Sequence, residues 1–257
     1  MQPYVSTYGR PLKPDAPSVL LVHGAGMDHS VWALQGRHFA FHGWNALAVD
    51  LPGHGRSHDL PPLATVEAMA DCLAGLIGDG PPAALVGHSM GALAALAAAA
   101  RHPGRVASLC LLGAALRMPV HPDLLALAAA HDPKAVELMC DWAFGPRGHH
   151  GGNPHPGGWL QGAARALLRR GHAETLSIDL LACNAYAAGP EHAAAIRCPT
   201  LVVIGALDRM TPVKAGGALA AAIPGARAEL VAGAGHMMMG EAPDATLALL
   251  RTMLPDR

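Results

Sequence analysis

The chain has 257 residues, 51% hydrophobic and 14% charged, with 18 basic against 19 acidic side chains and a formal net charge of −1. That balance excludes a disordered chain, and it offers no electrostatic patch for nucleic acid or an anionic membrane surface. One domain with a sizeable core is the expectation at this length. Five cysteines (Cys72, Cys110, Cys140, Cys183, Cys198) are odd in number and carry no C-x-x-C or zinc spacing. A reducing, cytoplasmic compartment is therefore expected rather than a disulfide framework. Residues 1–17 have no apolar stretch of signal-peptide type, and the longest apolar run, residues 92–100, is about half of the ~20 residues a membrane span needs.

Along the chain, short apolar runs alternate with helical patterns. A strand at 18–22 precedes a helix near 31–41, a strand at 46–49 a helix near 65–77, and a strand at 83–86 a helix near 90–101. Most of these strands are apolar on both faces, as in a parallel sheet covered on both sides. After a strand at 107–112 the alternation stops. Residues 114–190 show only helical patterns, near 122–131, 133–143, 159–170 and 174–187, divided by the glycine- and proline-rich stretch 145–158. Strands at 201–204 and 228–231 then alternate with helices near 212–222 and 243–253. This reads as an α/β core in two parts, 1–113 and 191–257, with a helical cap, 114–190, inserted between them. Ligands in such sheets bind outside the carboxyl ends of the strands.

Gly87-His-Ser-Met-Gly91 stands at one of those ends, between a strand and a helix, where a nucleophile elbow belongs. The plainer reading is a glycine turn with a serine N-cap. A serine hydroxyl needs a base oriented by a carboxylate, in the chain order Ser, acid, His. The loop after strand 201–204 supplies Asp208, and the loop after strand 228–231 supplies His236. Asp179 falls inside a cap helix, and Glu241 and Asp244 read as dipole-favoured charges at the start of the last helix. Ser89, Asp208 and His236 are thus the expected catalytic residues. The oxyanion donors are expected to be the backbone N–H of Met90 and, from His23-Gly-Ala-Gly26, that of Ala25, with Gly26 second.

Taken together, His23-Gly-Ala-Gly26, Asp50-Leu-Pro-Gly-His-Gly-Arg-Ser57, Gly87-His-Ser-Met-Gly91 and the Asp208 and His236 loops resemble the α/β-hydrolase superfamily across the whole core. The resemblance implies an α/β-hydrolase fold: a mostly parallel central sheet flanked by helices, with a cap inserted after the sixth strand. It also implies that Asp50 belongs to a structural turn. The family's sheet opens with antiparallel strands, and only residues 1–17 precede the first strand here, so one opening strand is expected to be short or missing. The elbow is followed by Ala92 where a glycine is common.

A serine at the elbow, rather than the aspartate of epoxide- and halide-processing relatives, implies acyl transfer. His88 before it resembles carboxylesterases, lipases and thioesterases more than carbon–carbon hydrolases, which often carry asparagine there. Carbon–carbon bond hydrolysis, against which His88 weighs, perhydrolysis, acyl transfer to another acceptor and a non-catalytic binding protein are the alternatives. The expected partner is a small-molecule ester, with no nucleic acid, no membrane and an undetermined oligomeric state. No P-loop is present, and His29 stands where a dinucleotide fingerprint from Gly24 needs glycine, so no cofactor is expected. Expected pocket residues are Gly26, Met118, Trp142, Phe144, Trp159 and Met237. Arg165, Arg169 and Arg170 share a cap helix and read as a solvated face, or as contacts to an anionic tail or carrier protein. His149, His150 and His155 read as part of a lid loop rather than a metal site, so no metal is expected.

Overall fold

A computed structural model describes residues 2–150 and 158–256. The core is a seven-stranded sheet formed by β1 (Val5–Ser6), β2 (Ser18–Val22), β3 (Asn45–Val49), β4 (Ala83–His88), β5 (Val106–Leu112), β6 (Thr200–Gly205) and β7 (Arg227–Val231). The strand order is β1-β3-β2-β4-β5-β6-β7; β1 runs antiparallel to β3 and every other pairing is parallel. The central strand β4 is buried along its whole length, which is why its sequence shows no alternation. Helices α1 (Ala33–Phe41), α2 (Val66–Ile77) and α3 (Met90–Arg101) follow β2, β3 and β4. In α3 every residue from Met90 to Ala99 is buried, so its alanines face packing partners all round and their small size lets the sheet and α2 come close.

The cap comprises α4 (Pro122–Ala129), α5 (Lys134–Ala143), α6 (Pro146–His150), α7 (Leu160–Arg170) and α8 (Ala173–Ala185). Four of these match the expected helices within a few residues; α6 and the short α9 (Gly189–Ala195), which leads back to the core, were not foreseen. The sheet then ends with α10 (Val213–Ala222), α11 (Met238–Glu241) and α12 (Pro243–Arg251). The cap follows β5 rather than a sixth strand, because among the described residues only the two-residue β1 precedes β2. This is the shortened opening of the sheet that the sequence implies. His155 lies outside the described residues. No helix among the described residues is long and apolar enough to cross a membrane.

Candidate active site

The chain leaves β2 towards β3 on one side and returns to β4 on the other, so the carboxyl ends of β2 and β4 flank the switch point where open α/β sheets hold ligands. Ser89 sits there, between β4 and α3, at φ 54° and ψ −119°. A non-glycine residue in that region stores roughly 1–3 kcal/mol of strain and persists only when its surroundings dictate it. The Ser89 N–H donates to Leu112 O at 2.9 Å, and its carbonyl accepts from Ala92 N–H at 2.9 Å. The hydroxyl makes no N-cap hydrogen bond; Ser89 instead lines a cavity.

His236 lines the same cavity. Its Nδ1 lies 2.8 Å from Asp208 Oδ2, and its backbone N–H donates to Ala143 O at 2.8 Å. The carboxylate accepts the Nδ1 proton, which leaves Nε2 as the free lone pair of the ring. That Nε2 is buried and has no partner among the described residues. Asp208 also accepts from Met210 N–H and Thr211 N–H, both at 2.8 Å, and from Thr211 Oγ1 at 2.7 Å. Burial opposes its ionisation, but the His236 charge and these hydrogen bonds outweigh it and hold the carboxyl below its usual range.

The loop after β2 brings Ala25 to the cavity. Among the described residues neither the Ala25 nor the Met90 N–H has an acceptor, whereas Gly26 N–H is taken by Asp179 Oδ2 at 2.8 Å. Gly24 has to be glycine, because a Cβ there would lie 2.9 Å from His88 Nδ1 and 3.3 Å from Ser89 Cβ.

The cavity has a volume of about 390 Å³, and apolar side chains from the cap and core dominate its wall. Of the pocket residues read from the sequence, Met118, Trp142, Phe144 and Met237 line it. Gly26 and Trp159 do not. Gly26 borders a neighbouring cleft, and Trp159 is 59% exposed with the Arg165 guanidinium 5.7 Å from its ring centroid. Leu124, Met139, Leu168 and Leu180 also line it. Their apolar positions on cap helices are visible in the sequence, but periodicity does not tell which helix face meets the core.

The three cap arginines are paired. Arg165 reaches Glu137 at 2.7 Å and Asp141 at 3.2 Å, Arg169 reaches Glu137 at 2.5 Å, and Arg170 reaches Asp28 at 2.8 Å. Asp50 accepts from the N–H of His29 and of Arg56 and from His29 Nδ1, at 2.7, 2.8 and 2.8 Å, tying two loops together. Glu241 ends α11 instead of opening the last helix. Its buried carboxylate accepts from Gly145 N–H at 2.7 Å and Gly235 N–H at 3.0 Å, joining the cap to the His236 loop.

Two fully buried histidines lie beneath the site. His23 accepts from Leu51 N–H at 3.1 Å through Nε2 and faces Gly24 O at 2.8 Å with Nδ1. His88 reaches His236 O at 3.0 Å through Nε2. Burial pushes His23 down to about 4 and His88 down to about 3, with the neighbouring histidines, His54 and His236, adding to the effect. Both are neutral in the fold, whereas the unfolded chain protonates them below about pH 6.5. Stability is therefore expected to fall as pH drops from 6 to 5, by about 2 kcal/mol, because unfolding then takes up nearly two protons. Urea unfolding at the two pH values checks this, and equal midpoints would contradict it.

Residues 19–249 match the alpha/beta hydrolase family. A pimeloyl-[acyl-carrier protein] methyl ester esterase of Chromobacterium violaceum is 32% identical over 232 residues, covering 88% of this chain and 87% of that one. Its namesake from Xanthomonas campestris pv. campestris is 31% identical over 252 residues, covering 91% and 94%. Among solved structures, the enol-lactonase of Burkholderia xenovorans superposes with a TM-score of 0.86 at 25% identity, covering 98% of this chain and 95% of that one. A thermophilic esterase from Thermogutta terrifontis gives 0.80 at 28%, covering 93% and 89%. With the strained serine, the paired histidine and the sheet order already in place, the match across nearly the whole chain settles the family: the protein is a member of the alpha/beta hydrolase family.

Proposed function

We propose that this carboxylic ester hydrolase works through Ser89 as nucleophile, His236 as general base and acid, and Asp208 as the carboxylate that orients the imidazole. The observation that carries the reading is the convergence of a strained Ser89 and an Asp208-bonded His236 on one largely apolar cavity. Ser89 Oγ attacks the ester carbonyl as His236 Nε2 takes its proton, and the N–H groups of Ala25 and Met90 hold the oxygen that becomes negative. Collapse of the tetrahedral intermediate expels the alcohol, protonated by His236. Water, deprotonated by the same nitrogen, then releases the acid and regenerates Ser89. The cavity lies near the lower end of the ~300–1,000 Å³ range of small-molecule sites, which suits an ester with an apolar acyl part of small or medium length. The curated relatives are named for a methyl ester carried by an acyl-carrier protein. In this chain the three cap arginines are engaged by carboxylates, which favours a free small ester over a carrier-bound one.

Intact mass after incubation with a fluorophosphonate, run beside a short-chain p-nitrophenyl ester assay, tests the reading. One adduct and turnover are expected for the wild type, and neither for Ser89→Ala. Labelling that survives in Ser89→Ala would assign the nucleophile elsewhere. Methanol release from a carrier-linked methyl ester at a rate above that of the free methyl ester would overturn the preference for small esters.

A further inference from the structure

Asp179 is a fully buried carboxylate in the cap helix α8. Its Oδ2 accepts from Gly26 N–H at 2.8 Å and lies 2.8 Å from His54 Nε2. The other ring nitrogen of His54 faces Pro52 O at 3.1 Å, so both nitrogens meet acceptors and the ring is a cation paired with Asp179. The other oxygen, Oδ1, has no partner among the described residues. Burying a carboxylate is costly unless it is paired and hydrogen-bonded. The pair with His54 meets that need, but it does not explain why a backbone N–H of the loop after β2 is drawn to the same oxygen.

The loop geometry supplies a reason. Met27 N–H donates to Gly24 O at 3.2 Å, and Gly26 has a φ of +67°, which makes residues 24–27 a type II turn with glycine at its third position. The peptide between Ala25 and Gly26 is the one whose flip converts such a turn to type I, and its N–H is the group Asp179 holds. Leu168 and Leu176 of the cap close off the same residue: a Cβ on Gly26 would lie 2.9 and 3.0 Å from them. One peptide earlier, Ala25 N–H is left without a partner among the described residues.

We propose that Asp179 is a positioning residue that, by accepting Gly26 N–H from the cap side, fixes the turn that presents Ala25 N–H to the oxyanion. The inference rests on the Ser89 reading. Catalysis then depends on a carboxylate of the cap that touches no reacting atom, and any displacement of α8 from the core releases the turn.

The test is a comparison of wild type, Asp179→Asn, Asp179→Ala and Arg170→Gln in ester turnover and in affinity for a trifluoromethyl ketone, whose hemiketal anion, formed when Ser89 Oγ adds to the ketone carbon, mimics the intermediate. Asparagine keeps an acceptor for Gly26 N–H but loses the charge-assisted bond, so a loss of about tenfold in kcat is expected. Alanine removes the acceptor, and about 10²-fold is expected. In both, KM for the ester stays within about threefold, while ketone affinity falls with kcat. Arg170→Gln, which breaks a different cap contact to the same loop, that with Asp28, should leave kcat unchanged. If Asp179→Ala does not fold, Asp179→Asn decides alone. Wild-type kcat and ketone affinity in that variant would overturn the proposal, as would a loss confined to KM, or an equal loss in Arg170→Gln. Failure of the Ser89 reading gives a different result: turnover that persists in Ser89→Ala.

Discussion

Replacing His236 by alanine is expected to lower ester turnover by about 10⁴- to 10⁶-fold while leaving the protein folded. Without the ring, Ser89 loses the proposed base, the imidazole that a carboxylate orients. The cavity wall holds two other imidazoles: His121, which caps α4 with its Nδ1 accepting from Asp123 N–H at 3.2 Å, and His88, whose ring centroid lies 4.7 Å from that of His236. Burial holds the pKa of His88 near 3, far too acidic for it to serve as a base. The fold should survive, because the bonds that fix the loop belong to the backbone of residue 236. Its N–H donates to Ala143 O, and its carbonyl accepts from His88. Asp208 keeps three further donors from Met210 and Thr211, so it is not left as an unpaired buried charge. Steady-state kinetics beside a thermal melt check both halves. Activity within tenfold of wild type would remove His236 from its role, and a collapsed melt would mean that the ring has a structural part that the hydrogen bonds do not reveal.

The elbow, the Asp208 loop and the His236 loop were legible in the sequence because each is local: a strand ends, and within a few residues a polar side chain follows a glycine. The four long cap helices were legible for a similar reason, as apolar spacing survives without knowledge of the partner. What could not be read depends on residues far away along the chain. The two-residue β1 is defined by its pairing with β3, some 40 positions on. Glu241 reads as a dipole-favoured charge until Gly145 and Gly235 are seen to donate to it, and Asp179 as an ordinary helix residue until Gly26 is. The arginines of α7 were readable as a basic face, but their carboxylates stand on α5 and in the loop after β2, outside any local window. Trp159 follows the same rule: an aromatic residue at the edge of the cap carries no sign in its own sequence of which side faces solvent.

The second large effect is expected from Gly91→Ala, a change of one methyl group. An added Cβ would lie 2.4 Å from His23 O and 2.5 Å from Val22 O, both backbone atoms at the end of β2. No side chain can swing aside to relieve that overlap, so α3 has to move away from the sheet. Gly87 is confined in the same way, its Cβ falling 2.3 Å from Gly91 O, so the shift cannot be absorbed within the elbow. Overpacking against a rigid backbone should cost about 3 kcal/mol, a fall of about 6–12 °C in Tm for a domain of this size. Activity should drop further than stability alone requires, because moving α3 separates Met90 N–H from Ala25 N–H, the two donors proposed to meet one oxygen. Gly75→Ala in α2 is the matched control: an added Cβ there meets nothing within 4 Å, and removing a glycine from a helix interior is expected to stabilise by about 0.5–1 kcal/mol. Calorimetry on the two variants should therefore give shifts of opposite sign. A Gly91→Ala protein that melts within about 2 °C of wild type and retains turnover would mean that the close approach of β2 and α3 is not what holds the elbow in its strained conformation.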